Sequence, residues 1–144
     1  MKKAWFFVIS LAIVVFLGSC DLLFTLQASD IFGEWDFRQT TTIKDVQVSN
    51  VHLSVMGDEE AGTIAMLDIG WDVDDETNPT RWHGVGGSLH GKTFTGTYHA
   101  CYLDDTEYNI EVTFSHNNGE IGIACKGEGP LDGVTLEHGT RAMM

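Results

Sequence analysis

Four stretches of this chain alternate apolar and polar residues with a period of two. Tyr108, Ile110, Val112 and Phe114 alternate with Asn109, Glu111 and Thr113, and Val51, Leu53 and Val55 alternate with His52, Ser54 and Met56. Ile121, Ile123 and Cys125 share a face, as do Val134 and Leu136. Successive strand side chains point to opposite faces, so the pattern marks strands with one face on a core. After residue 30 no stretch keeps a helical period. The punctuation is turn chemistry as well, with 16 Gly and only 2 Pro in the chain. Asn118-Gly119 is the strongest hairpin signal, because a type I′ turn needs positive φ at both central residues. Asp132-Gly133 is a second such pair, and His90-Gly91 and Asp104-Asp105 are weaker ones.

These signals predict eight strands, near 33–42, 44–56, 61–71, 80–89, 92–102, 106–116, 120–128 and 134–141. Most connections are short, and the exception is the acidic segment Asp72 to Pro79. Residues 87–94 and 129–136 share the pattern G-x-L-x-G-x-T followed by an apolar residue, which reads as one hairpin chemistry used twice. Short-looped antiparallel strands laid flat leave two exposed edges. Closure into an up-and-down barrel removes both. The predicted fold is therefore all-β, an eight-stranded antiparallel barrel, with a β-sandwich as the alternative.

Gly33-Glu34-Trp35 at the start of the first strand, after the lead-in Ser29 to Phe32, resembles the G-x-W signature of lipocalin-type barrels. The same signature also starts avidin-type strands. In the lipocalin family the Trp crosses the barrel floor under an Arg of the last strand, which implies that role for Trp35 and Arg141. Thr106-Glu107-Tyr108 loosely echoes the family's second motif, with Glu where Asp is usual and one strand early. The resemblance spans roughly residues 30 to 141. It implies an apolar cavity lined by Trp71 and Trp82, which flank the long acidic loop, and by Tyr98 and Tyr102, which share parity. The competing expectation is a filled interior, since eight strands enclose a space just wide enough for side chains.

The first twenty residues stand apart. Lys2 and Lys3 precede an apolar run from Ala4 to Leu17 broken only by Ser10, then come Gly18 and Ser19. This is the layout of a secretory signal, and the run is shorter than the ~20 residues of a spanning helix. Leu17-Gly18-Ser19-Cys20 resembles the lipobox of bacterial lipoproteins. That resemblance implies cleavage before Cys20, lipid on its thiol, and a place in the bacterial cell envelope on the extracytoplasmic side. In enteric members Asp21 after the cysteine favours the inner membrane; the choice of membrane stays open here. The expected organisation is a signal peptide over 1–19, a lipidated tether over 20–30 with the apolar patch Leu22, Leu23, Phe24 and Leu26, and a barrel domain over 31–144.

Loss of Lys2 and Lys3 leaves 6 basic against 21 acidic side chains, a formal charge of −15. Nucleic-acid binders need clustered Lys and Arg to displace counterions, so that class is excluded, and anionic headgroups are equally unsuitable. The charge suits a basic partner, or serves solubility alone. Cys101 and Cys125 are the cysteines left for the domain. A turn at Asp104-Asp105 sets Cys101 opposite Tyr108, and one at Asn118-Gly119 sets Cys125 opposite Val112. That separates them by roughly 16 Å, whereas a disulfide needs Cα atoms within about 7 Å. Either the thiols are free or the strand order is not a simple meander.

Chemistry-bearing constellations are sparse. The six histidines show no recognisable ligand spacing. His99 and Cys101 share a strand face but lack a third ligand. Asp72, Asp74 and Glu76 offer oxygens at alternate positions, yet Thr77 and His83 stand where a calcium loop of the EF-hand type needs Gly and Glu. No nucleophile elbow or phosphate-cradling glycine motif occurs. The reading is of a non-enzymatic, membrane-tethered protein without a cofactor or metal, binding a small apolar or amphipathic ligand. The alternatives are an acidic protein-interaction module, for instance an inhibitor of a cationic envelope-attacking enzyme, and a structural lipoprotein without a ligand.

Overall fold

Alternation of inward and outward residues carries the chain around a closed ring. A computed structural model describes residues 26–43, 45–73, 80–99 and 105–143. One helical turn, α1 (Ala28–Ile31), precedes β1 (Gly33–Phe37), β2 (Thr41–Ile43), β3 (Val46–Asp58), β4 (Thr63–Val73) and β5 (Thr80–His90). Then follow β6 (Thr93–His99), β7 (Glu107–Asn117), β8 (Glu120–Gly127) and β9 (Thr135–Arg141). From β3 to β9 each strand pairs antiparallel with its sequence neighbour, and β1 pairs with both β3 and β9. β1 and β2 lie along the same side of β3, against Val51–Val55 and Val46–Val48. Counting β1 and β2 as one broken strand, the wall is eight strands in up-and-down order that closes through β1, and the sandwich is excluded.

The expected first strand, 33–42, is split in two. The cause lies on its partner: Asn50 has φ +50, and the β3–β4 register shifts between Ser49 and His52. The bulge bends β3, and the polar residues Arg38 to Thr40 leave the ladder opposite the bend. A second difference concerns β6 and β7, where Tyr98 pairs with Tyr108 and His99 with Glu107. Pairing Cys101 with Tyr108, as a turn at Asp104-Asp105 requires, would turn Phe94 and Tyr98 outward. Both are buried, at 0% and 1% exposure, and an odd register slip flips every side chain. The described part of the strand runs to His99, and Cys101 lies outside the described residues. Cys125 faces inward opposite Val112 as a free thiol.

The turns follow their residues. Asn118 and Gly119 have φ +52 and +79 and join Asn117 to Glu120, the type I′ pattern. Asp132-Gly133 instead belongs to a wider β8–β9 connection. There the Asp132 carboxylate accepts from the Gly127 amide at 2.9 Å, and Leu131 turns into the core.

The interior is packed. Leu53, Leu67, Ile69, Val85, Phe94, Val112, Leu131 and Leu136 each expose 0% of their surface. A void able to hold water would leave area open on the side chains around it, so these positions form a close-packed core. The lower end, where β1 begins and β9 ends, is closed by Ile31 and Phe32 at 0% and 8% exposure. Leu26 and Ala28, ahead of β1, also pack on this core. The upper end is covered in part by Leu131, held there by Tyr98.

Candidate functional site

The floor brings the three signature residues together. Gly33 has φ +104, which favours glycine, and a Cβ there would meet Arg141 Nη1 at 2.8 Å. Trp35 is 1% exposed, and its Nε1 donates to the Ile31 carbonyl at 2.9 Å. The Arg141 guanidinium lies 4.4 Å from the centroid of the Trp35 ring and donates to the Phe32 carbonyl. The Trp35 indole and the Arg141 guanidinium both bond the backbone of α1 and its C-cap, so the chemistry of this plug is closure.

The four residues expected to line a cavity separate. Trp71 and Tyr98 point inward and are 3% and 1% exposed. Between them sits His83, fully buried, stacked on Trp71 at 4.4 Å and edge-on to Tyr98 at 5.9 Å. Burial pulls the His83 pKa down to about 4, against the pull of the Ile69 backbone, with the Arg81 charge lowering it further. The imidazole is therefore neutral at physiological pH. The Tyr98 hydroxyl donates to the Glu128 carbonyl at 2.7 Å and accepts from the Leu131 amide at 3.0 Å, so it ties down the 128–134 connection. Tyr102 lies outside the described residues. Trp82 does not join the group: Trp71 pairs with Arg81, which sends Trp82 to the outer wall, 46% exposed.

On that outer wall stands a constellation absent from the cavity expectation. Asp36 of β1, His52 of β3, Gly70 of β4 and Trp82 of β5 form one row across four strands. Glu34, Ser54, Asp68 and Gly84 form the next row down. His52 Nδ1 donates to Asp36 at 2.7 Å and Nε2 to Glu34 at 2.5 Å, while Ser54 Oγ donates to Glu34 at 2.7 Å. Two N–H donations require the imidazolium. Partial burial works against it, but the hydrogen bonds and charges of Asp36 and Glu34 outweigh burial and raise the His52 pKa above 6.5. Asp68 is half-buried with no hydrogen-bond partner among the described residues. Its desolvation, and then the nearby Glu34, raise its pKa. Trp82 lies flat over Gly70, where a Cβ would meet the indole at 2.4 Å, and its edge meets the His52 ring at 5.8 Å. Above the row, Asn50 donates to Asp72 at 3.0 Å.

Four carboxylates and one imidazolium thus share one outer face with a flat, exposed indole. The site is acidic and aromatic, fitted to cations rather than to anions or to acyl chemistry. No family model, curated protein or solved structure matches this chain. The barrel architecture is therefore established by its own strand pairing, and the site by its own geometry.

Metal chemistry finds no footing among the described residues, where no three His, Cys, Asp or Glu side chains converge on one point. Most of the acidic segment, Asp74 to Pro79, and the Cys101 half of the His99–Cys101 pair lie outside them. Cys125 is a poor nucleophile: burial, and then the Asp132 charge, push its thiol up to about 12. The sequence reading missed His52, Glu34, Asp36 and Asp68 because their meeting depends on the pairing of Trp35 with Leu53. The available signal was parity at His52, which lies on the polar face of a strand whose apolar face, Val51, Leu53 and Val55, was recognised.

Proposed function

We propose that this chain is a non-enzymatic recognition module of the bacterial envelope. It is tethered by lipid on Cys20 and acts through the outer wall of a filled barrel on a basic protein partner. The observation that carries the reading is the inside-out placement of its chemistry. The interior side chains are packed at near-zero exposure, while Trp82 and the carboxylates of Glu34, Asp36 and Asp68 face outward. A charge of −15 after loss of the signal supports it, since such a surface steers a cationic partner and rejects nucleic acid.

The test is cross-linking of the full chain in its host, with the captured proteins eluted along a salt gradient. The expected partner is basic, leaves as ionic strength rises, and is lost from a Glu34→Gln/Asp36→Asn/Asp68→Asn variant. Partners that ignore both salt and the variant would overturn the reading. A second reading, a small apolar or amphipathic ligand inside the barrel, is favoured by the aromatic stack of Trp71, His83 and Tyr98. It requires that stack to open. Native mass spectrometry of the intact protein distinguishes the two, because an interior ligand travels with the protein and a rim-bound partner dissociates in salt.

A further inference from the structure

Glycine inside a strand weakens it, and usually answers a positive φ, a tight internal contact, or the approach of something from outside. Strand β5 carries Gly84 and Gly86 on its outward face. Neither has a positive φ, and a Cβ built on either meets nothing within 4 Å among the described residues. Their neighbours behave differently. Gly70 is required by the indole of Trp82, and Gly96 by the backbone of Gly86. The first two causes are thus absent at 84 and 86, which leaves the third.

The two bare positions form the floor of a shallow trough. Trp82 closes its upper end. Asp68 stands beside Gly84 and Met66 beside Gly86, the latter 44% exposed, with Met56 at 39% next to it. Thr97 pairs with Gly86 on the other side. Diagonal positions on neighbouring strands lie about 7–8 Å apart, so one side chain along the trough reaches both the face of Trp82 and the carboxylate of Asp68. A planar cation with an apolar stem matches this set. The stem lies over glycine and Met66, the plane stacks on indole, and the charge meets Asp68.

We propose that the trough over Gly84 and Gly86 is the docking site for an arginine-bearing segment of the basic partner. This rests on the reading of the outer wall as the recognition surface. Charge complementarity selects the occupant, because the Asp68 carboxylate makes no hydrogen bond among the described residues and meets His52 through charge alone, while Glu34 and Asp36 are hydrogen-bonded to His52.

The probe is the capped tripeptide acetyl-Gly-Arg-Gly-amide, titrated into the isotopically labelled full chain in detergent and followed by amide and indole NMR shifts. Shifts concentrated at Gly84, Gly86 and the Trp82 indole are expected, weaker by about tenfold for the neutral citrulline peptide and for Asp68→Asn. Equal responses to arginine and citrulline, or shifts elsewhere only, overturn the site. The decisive variant is Gly84→Thr/Gly86→Thr. Thr suits a strand better than Gly, so the melting temperature holds or rises while the arginine response is lost. A response that survives in the folded variant refutes the trough. A variant that unfolds also refutes it, by showing that the barrel itself needs these glycines. If this variant keeps the cross-linked basic partner while the charge-neutralised variant loses it, the trough fails and the wider reading stands. If no basic partner exists, the wider reading fails by itself.

Discussion

Removing one oxygen atom, by Tyr98→Phe, tests how the upper end of the barrel is held. The hydroxyl accepts from the buried Leu131 amide at 3.0 Å and donates to the Glu128 carbonyl at 2.7 Å. The Phe ring keeps its contacts with His83 and Tyr108, so among the described residues the perturbation falls on those two bonds. Leu131 is 0% exposed, and its stranded N–H costs about 1–3 kcal/mol. The Glu128 carbonyl belongs to an exposed residue and turns to water, for a loss of about 0.5–1 kcal/mol. The sum is about 1.5–4 kcal/mol. For a domain of this size that corresponds to a fall in Tm of roughly 6–16 °C. Urea unfolding with linear extrapolation measures it, and hydrogen exchange at the Leu131 amide localises it. Tyr108→Phe is the control, because that hydroxyl bonds to none of the described residues, and it should stay within about 0.5 kcal/mol of the parent. A Tyr98→Phe change that small, or a Tyr108→Phe change equally large, would refute the reasoning.

Three further predictions follow from the titrating groups. Because the folded His52 pKa is raised, its stabilisation is fully present below the unfolded value near 6.5 and is lost as pH rises through the folded value. The stability gap between the parent and His52→Gln should therefore shrink from pH 6 to pH 8.5; a gap that widens contradicts the Glu34–His52–Asp36 bridge. His83 has the opposite sign. Its folded pKa near 4 gives stability that is present above the unfolded value and lost as pH falls, by up to about 3 kcal/mol. His83→Phe, which keeps a ring against Trp71, should flatten the acid limb of the stability profile, and an unchanged limb would count against it. Cys125, with its thiol pushed up to about 12, should resist iodoacetamide in the native protein and react on unfolding. Peptide-level mass spectrometry reads this, and rapid native labelling would show that the core opens.

Much of the fold was legible because its signals were local. The Asn118-Gly119 turn and the alternation of Tyr108 to Phe114 define β7 and β8 without reference to the rest of the chain. Gly33, Trp35 and Arg141 were legible for another reason, since a resemblance carried them across 108 residues of sequence to one point. The failures are those of non-local register. Trp82 was expected inside beside Trp71, but the facing of β5 is set by the pairing of Trp71 with Arg81 across the long acidic connection. The inward turn of Leu131 was hidden in a pattern that read as a simple hairpin. The break after Phe37 arises from a bulge at Asn50, on another strand.

The ring closes through a narrow seam. β1 meets β9 at only two residue pairs, Trp35 with Arg141 and Asp36 with Thr140, extended by a bond from the Ala142 amide to the Glu34 carbonyl at 3.0 Å. Every other junction in the wall joins strands close in sequence, whereas this one joins the two ends of the chain, so it forms late in folding and at the greatest entropic cost. Mechanically it is a clasp. A pull on the N-terminal end through α1 loads β1 first, and the two pairs to β9 part more readily than the five pairs to β3. The Trp35–Arg141 contact is the pin in that clasp. Whatever strains the chain from its leading end is felt there before the rest of the wall.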